Sequence, residues 1–214
     1  LQVVNFRSDA IRLLGVGNST ITENIFDGMD TNGSAAIYAS FTGGVSYAHN
    51  TFSNNYWGLR LDGASGNNVT GNFFYINNIG VTSNNSSQNT IDGNDFMGNT
   101  TSIDLYQVTT TVVSNNAVTN STWRGIVLDT SSKNTVTGNN IEDDGTGDAS
   151  HNNAIHLTSA DSNTITSNTI SDSSATTDNY AVNITDSASD TNYLADNALG
   201  GGSINDAGTG TIYG

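Results

Sequence analysis

The side chains best suited to chemistry lie around two tryptophans. Trp57 is in the stretch NNYWGLRLD and Trp123 is in STWRGIVLD, and each is followed closely by an arginine. Aromatic rings stack on the faces of sugar rings, while guanidinium, carboxylate and amide groups bind hydroxyls. We therefore predict a glycan-binding edge made of Trp57, Trp123, Tyr38, Tyr56, Arg60 and Arg124. The alternative is that the two indole rings only cover apolar edges beneath turns.

The acids near these residues suggest a second hypothesis, a polysaccharide-active enzyme. A glycoside hydrolase needs two carboxyl groups on either side of the scissile bond. Asp62 and Asp104 are the acids that best suit this role, with Arg60 as the cation beside them. This hypothesis covers a lyase, a C5-epimerase or a hydrolase.

A third group of acids lies in an insertion, IEDDGTGDASHNN, which spans residues 141–153. Flexible, oxygen-rich segments of this kind suit calcium, and the ligands would be Asp143, Asp144 and Asp148. The spacing does not match an EF-hand loop, and a solvated acidic loop is the alternative. We predict that no cofactor is required, with calcium as the candidate ion.

An internal repeat sets the positions of all these residues. An Asn with apolar residues three positions before it and two after it recurs at intervals of 26, 22, 22, 22, 23, 29 and 29 residues. The members of this column are Asn24, Asn50, Asn72, Asn94, Asn116, Asn139, Asn168 and Asn197. A small residue followed by an aliphatic one forms a second column in step with the first, as in Gly58-Leu59 and Gly80-Val81.

A 22-residue period of short β-branched stretches, separated by Asn, Gly and Ser, predicts a β-solenoid. Each repeat is one coil, and the apolar columns become internal ladders with a coil spacing of roughly 4.8 Å. We expect each repeated Asn to take the left-handed conformation at a sharp bend and to bond through its amide to its neighbours above and below.

The spacing also predicts where a site lies. The distance from the last aliphatic position of one coil to the first apolar position of the next is 8 residues in seven of eight cases. The variation in coil length instead falls after the repeated Asn. Such a variable edge is often the binding face of a repeat protein. Beside it, the outward residues of one strand per coil form the column Arg12, Tyr38, Arg60, Thr82, Asp104, Val127, His156 and Asn183.

Motifs such as SSKNTVTGNNI and DSNTITSNTI, followed by RGIVLDTSS or NAIHLTSAD, resemble the parallel β-helix repeats of the NosD-type family. The resemblance implies an all-β fold, a single-stranded right-handed parallel β-helix of about eight coils of 22–29 residues, in one domain over residues 1–214. Related repeats occur in surface proteins and in carbohydrate-active epimerases and lyases. We find no copy of the epimerase motif of acids and histidine. Lyases of this shape use Lys or Arg bases, and the chain contains only Arg7, Arg12, Arg60, Arg124 and Lys133.

Charge narrows the possible partners. Five Lys and Arg against twenty Asp and Glu give a net charge of −15, which argues against nucleic acid and anionic membranes. There is no cysteine and no apolar run of membrane-spanning length.

We expect a structural or adhesive module at a cell or virion surface or in the extracellular space, either part of a longer chain or a homo-oligomer. Ice binding by Thr-x-Thr pairs, such as Thr135 with Thr137, is a minor alternative.

Overall fold

The computed structural model describes residues 1–29, 33–143, 153–172 and 180–214, in which the regular structure is three parallel β-sheets of nine strands each. Sheet 1 contains β1 Gln2–Val4, β4 Ile25–Asp27, β7 Thr51–Ser53, β10 Phe73–Tyr75, β13 Asp95–Met97, β16 Ala117–Thr119, β19 Asn140–Asp143, β22 Thr169–Asp172 and β25 Ala198–Leu199. Sheet 2 contains β2 Ile11–Leu14, β5 Ala35–Ser40, β8 Trp57–Asp62, β11 Ile79–Asn84, β14 Thr101–Tyr106, β17 Arg124–Asp129, β20 Asn153–Thr158, β23 Tyr180–Ile184 and β26 Ser203–Asp206. Sheet 3 contains β3 Thr20–Thr22, β6 Ser46–Ala48, β9 Asn68–Thr70, β12 Thr90–Asp92, β15 Val112–Ser114, β18 Thr135–Thr137, β21 Thr164–Thr166, β24 Tyr193–Ala195 and β27 Ile212–Tyr213.

Each coil contributes one strand to each sheet, so the sheets are built from neighbouring coils. In sheet 2, for example, Arg60 of β8 pairs with Tyr38 of β5 on one side and with Thr82 of β11 on the other. Parallel pairing links the strands along all three sheets, with one register shift where β26 pairs with β23. The predicted β-solenoid of about eight coils is therefore confirmed, because nine strands per sheet are separated by eight turns of chain. Among the described residues, no helix is long and apolar enough to cross a bilayer.

The core consists of stacked columns of inward side chains. Phe26, Phe52, Phe74 and Phe96 form one such column in sheet 1, with successive ring centroids 5.3, 4.7 and 4.7 Å apart and nearly parallel planes. All four rings are fully buried. Since strand neighbours alternate between the two faces of a sheet, the residues beside each Phe point to solvent.

The eight repeated asparagines stack between sheets 3 and 1 as an amide ladder. Nδ2 of Asn94 donates to the carbonyl oxygen of Val69 at 2.8 Å and to Oδ1 of Asn116 at 3.1 Å. Oδ1 of Asn94 accepts from both the backbone N–H and the side chain of Asn72, each at 2.9 Å. The same pattern runs from Asn24 to Asn197. These amides satisfy backbone groups at corners where no sheet partner exists.

One expectation about this ladder was wrong. The ladder asparagines do not have positive φ; the residue before each of them does, as in His49 at 54° and Asn115 at 53°. The physical reason is burial. The ladder side chain must point inward to reach carbonyls of the neighbouring coil, so the exposed residue that precedes it makes the bend.

Two further polar ladders at the other corners were not predicted. Asn55, Asn77 and Asn99 stack between sheets 1 and 2, and Asn67 with Asn89 begins another between sheets 2 and 3. All five are buried. The signal was present, because these residues also recur every 22 positions.

Candidate functional site

The outer face of sheet 2 carries the predicted column of outward residues. Arg12, Tyr38, Arg60, Thr82, Asp104, Val127, His156 and Asn183 lie in one row, joined by successive strand pairs. Rows on either side of it contain Trp57 and Arg124, and Asp62 and Asp129. The sheet therefore brings the residues of both sequence hypotheses onto a single face.

Arginine side chains on this face lie over aromatic rings. Cζ of Arg12 lies 5.0 Å from the centre of the Tyr38 ring, and Cζ of Arg60 lies 5.4 Å from the same ring and 4.4 Å from Trp57. Tyr56 packs edge-on against Trp57 with centroids 4.5 Å apart. A first groove of about 240 Å³ is lined by Asp9, Arg12, Gly33, Tyr38, Trp57 and Arg60.

Arg60 also fixes a neighbouring carboxylate. Its Nη2 and Nε donate to Oδ2 of Asp62 at 2.7 and 3.0 Å, and Nδ2 of Asn84 donates to Oδ1 of Asp62 at 2.8 Å. These groups form the floor of a second groove of about 480 Å³. Its lining is Tyr38, Ser40, Phe41, Arg60, Asp62, Gly63, Asn84, Asn85 and Tyr106.

The second tryptophan does not occupy the position of the first. Trp57 pairs with Ile79, Ile79 with Thr101, and Thr101 with Arg124, so Arg124 holds the position in its coil that Trp57 holds in its own. Trp123 lies one residue earlier, outside β17. Cζ of Arg124 lies 4.0 Å from the centre of the Trp123 ring. A third groove of about 220 Å³ is lined by Ile79, Thr101, Asp104, Trp123, Arg124, Val127 and Asp129.

The acids in the third groove have unusual surroundings. Burial raises the pKa of Asp104, and the charge of Asp129 raises it further, against a hydrogen bond from Thr82 and the charge of Arg124. Burial also lowers the pKa of Arg124, whose Nε is buried and has no hydrogen-bond partner among the described residues. Arginine nevertheless stays protonated at neutral pH.

The structure changes the pairing of the predicted acids. Asp62 lines the second groove and Asp104 the third. They are linked only indirectly, through contacts of 3.4 Å from Oγ1 of Thr82 to Asp104 and to Asn84. The acid that shares a groove with Asp104 is Asp129, which we did not single out. It could have been found, because Asp62 and Asp129 hold the same position in LRLD and IVLD.

The predicted calcium ligands are mostly outside the described part of the chain. Asp143 ends β19, and Asp144 and Asp148 lie beyond the described residues. Within residues 1–29, 33–143, 153–172 and 180–214, no three His, Asp or Glu side chains are grouped so as to hold a metal ion. Calcium in the insertion stays a prediction.

The threonine pairs of the ice-binding hypothesis lie on sheet 3. Two pairs are adjacent, with Thr135 beside Thr164 and Thr137 beside Thr166. The pair Thr20 and Thr22 is separated from them by β6, β9, β12 and β15. In the described residues, the regular array is therefore two strands wide.

Comparison with known proteins supports the architecture. The right-handed β-helix family matches residues 9–170. Similar solved structures include the DFA-IIIase of Arthrobacter chlorophenolicus A6 in complex with GF2, with 14% identity, a TM-score of 0.70 and coverage of 90% of this chain and 54% of the other. The A-module of the Azotobacter vinelandii mannuronan C-5 epimerase AlgE4 has 19% identity and a TM-score of 0.73, with coverage of 92% and 58%. The alginate lyase of Paenibacillus sp. str. FPU-7 has 14% identity and a TM-score of 0.63, with coverage of 97% and 92%.

These likenesses concern the fold. The chain spans a little over half the length of the first two structures, and no curated protein sequence shows significant similarity to it. At such identities a shared fold does not establish a shared function. The handedness implied by the repeat motifs is confirmed, and the chain belongs to the right-handed β-helix family.

Proposed function

We propose that this protein binds polysaccharide along the outer face of sheet 2, as an extracellular or surface β-helix. The observation that carries the proposal is the set of three arginines, Arg12, Arg60 and Arg124, each lying on an aromatic ring of this face. A guanidinium packed against a ring is restricted before a ligand arrives, so it loses less conformational entropy on binding hydroxyls. The likeness to an epimerase and a lyase supports carbohydrate as the ligand class.

In this proposal, the tryptophans act chiefly through the arginines. Arg60 covers a face of Trp57 and Arg124 covers a face of Trp123. The rings therefore position the donors, and a sugar contacts the guanidinium groups and the exposed ring edges. Grooves of about 240, 480 and 220 Å³ along the face give room for successive units of a chain.

The double variant Trp57→Ala, Trp123→Ala tests this proposal. Without the rings, Arg124 loses its aromatic partner, and Arg60 keeps only its contacts with Tyr38 and Asp62. We expect the affinity for a bound glycan to fall roughly 10- to 100-fold, as for loss of two aromatic anchors. Affinity is measured on a glycan array and then by calorimetry. Tyr193→Ala, which removes an exposed ring from sheet 3, is the matched control and should bind as the wild type does. Equal binding by the double variant would refute the proposal.

A polysaccharide-active enzyme is the second candidate, and the specific observation that favours it is the third groove. Asp104, whose pKa is raised, is suited to hold a proton and give it to the oxygen of a leaving sugar. Asp129 lines the same groove. It would either take a proton from the water that attacks the anomeric carbon or attack that carbon itself, as the bond to the protonated leaving oxygen breaks. Arg124 would bind the sugar between them.

Asp104→Asn tests the electrostatic basis of this second candidate. Because the folded-state pKa of Asp104 is raised, its carboxyl stabilises the fold below the unfolded-state pKa, and this contribution is lost as the pH rises through the folded-state pKa. The variant should therefore match the wild-type Tm at acid pH and exceed it at neutral pH. Asp95→Asn, which removes an exposed carboxylate from sheet 1, controls for net charge. A Tm difference that shrinks with rising pH would contradict the assignment, and turnover of a polysaccharide abolished by Asp104→Asn would support the enzyme.

A further inference from the structure

Phe41 is an exposed aromatic residue in a strained backbone conformation. It follows β5 at the corner between sheets 2 and 3, its φ is 52°, and it is 78% exposed. Bulky residues are genuine outliers in the left-handed region, and such a conformation strains the backbone. The equivalent corners of other coils, all with positive φ, are held by Gly15, Gly63, Asn85, Gln107, Thr130 and Ser159.

The ring of Phe41 is held beside the second groove by a glycine of the next coil. A Cβ added to Gly63 would lie 3.0 Å from Cε1 of Phe41, so the ring lies directly over the Gly63 backbone. With so much of it exposed, the ring contributes little burial to offset the strain. Among the described residues it has no ring partner, unlike Tyr38 and Trp57, whose faces carry arginines.

Tyr106 lines the same groove from β14, which is two strands beyond β8 in sheet 2. It ends β14 and is 40% exposed. The Phe41 ring lies over Gly63, which follows β8. In sheet 2, β14 is two strands from β8, a distance of about 10 Å at the usual strand spacing. Two van der Waals contacts of about 3.5–4 Å leave room for one ring between the two aromatic walls.

The charge of the groove favours a neutral occupant. The cation of its floor, Arg60, is paired with Asp62 at 2.7 Å, so the floor has no excess positive charge. The whole chain has a net charge of −15, which repels a polyanionic glycan. The remaining polar groups are those that bind hydroxyls, including the exposed amide of Asn85.

We propose that the second groove is a subsite for one neutral sugar ring, held between Phe41 and Tyr106 above the Arg60, Asp62 and Asn84 floor. The inference rests on the proposed polysaccharide binding and names its ligand class and a further binding residue. A ring that costs backbone strain and gains little burial fits a residue retained for binding, since stability and function often trade off.

Phe41→Asn separates binding from stability. Asn tolerates the left-handed conformation, so the variant should have a higher Tm than the wild type. Its affinity for oligosaccharides of cellulose, xylan or mannan, whichever binds best, should fall roughly tenfold, as for loss of one aromatic anchor. Phe41→Tyr should retain the affinity. Calorimetric titration and differential scanning calorimetry measure the two effects.

Ile76→Asn is the matched control, because Ile76 is also an exposed apolar residue with positive φ, at 50°, but lies at the corner between sheets 1 and 2. It should raise the Tm and leave affinity unchanged. A lower Tm for Phe41→Asn would show that the ring is structural and overturn the subsite. Unchanged affinity in that variant, with affinity lost in the Trp57, Trp123 double variant, would overturn the subsite and leave the proposed function standing. Tighter binding of polygalacturonate oligomers than of all neutral ones would overturn the neutral ligand, and absence of any glycan binding would overturn both proposals.

Discussion

Replacing Asn116 by leucine is expected to lower the free energy of unfolding by about 3–5 kcal/mol, since each buried polar group left unpaired costs about 1–3 kcal/mol. Oδ1 of Asn116 accepts from the backbone N–H and the side chain of Asn94, at 2.9 and 3.1 Å. Its Nδ2 donates to the carbonyl oxygen of Ile91 at 3.0 Å and to Oδ1 of Asn139 at 2.9 Å. Leucine has a similar shape and can make none of these bonds, so several buried groups lose their partner together.

The adjacent residue provides the control for this prediction. Asn115 is exposed and has a φ of 53°, and its side chain donates to Oδ1 of Asp92 at the surface. Glycine adopts that conformation without cost, so Asn115→Gly should change stability by less than about 0.5 kcal/mol, as is usual at the surface. Both values come from denaturant unfolding monitored by circular dichroism. Equal losses in the two variants would show that the ladder is not the main support of this corner.

Phe74→Ala is expected to cost about 3–5 kcal/mol, the usual range for truncating a buried phenylalanine. The ring is fully buried and stacks on Phe52 and Phe96, with both centroid distances 4.7 Å. Its loss therefore leaves a cavity in the middle of a column and removes two ring contacts. A Cβ on Gly58 would lie 2.9 Å from Cδ1 of this ring, so the ring packs directly against the backbone of β8.

Phe73 is the matched control, being the same residue type one position away on the opposite face of β10. It is half-buried and stacks on Tyr75 at 5.8 Å. We expect Phe73→Ala to cost less than about 1.5 kcal/mol, within the range of ordinary substitutions. Thermal unfolding of both variants compares their losses of stability. The prediction is wrong if Phe73→Ala is the more destabilising of the two.

The two predictions concern the two features that hold successive coils together, the corner amide ladder and the inward apolar column. Corner amides satisfy the backbone where the sheets end, and the inward columns supply the hydrophobic contacts between coils. Each coil contacts mainly its neighbours, as in other repeat proteins. A substitution in a central coil, such as those of Asn116 and Phe74, therefore removes contacts with the coils on both sides.

The fold could be predicted from the sequence because the repeated motif shows which residues of successive coils pair with one another. An Asn every 22 to 29 residues, with apolar residues at fixed offsets, leaves one way to align successive coils. That alignment predicted the apolar column of Phe52 and Phe74 and the outward row of Arg60 and Asp104. It did not give the bend, which is made by the residue before each ladder Asn, because backbone dihedrals depend on which side chain must be buried.

The site was predictable only in outline. Its residue types and its face followed from the alignment of coils, so Trp57, Arg60 and Asp62 could be named as candidates from the sequence alone. Which side chains meet was decided by the tertiary structure. Arg60 turns onto Trp57 and Asp62, and Asp104 shares a groove with Asp129. Phe41 reaches the second groove because Gly63 leaves space for its ring. A repeat specifies the position of each Cα from nearest-neighbour pairing, whereas the direction of a long side chain depends on contacts with residues from several coils.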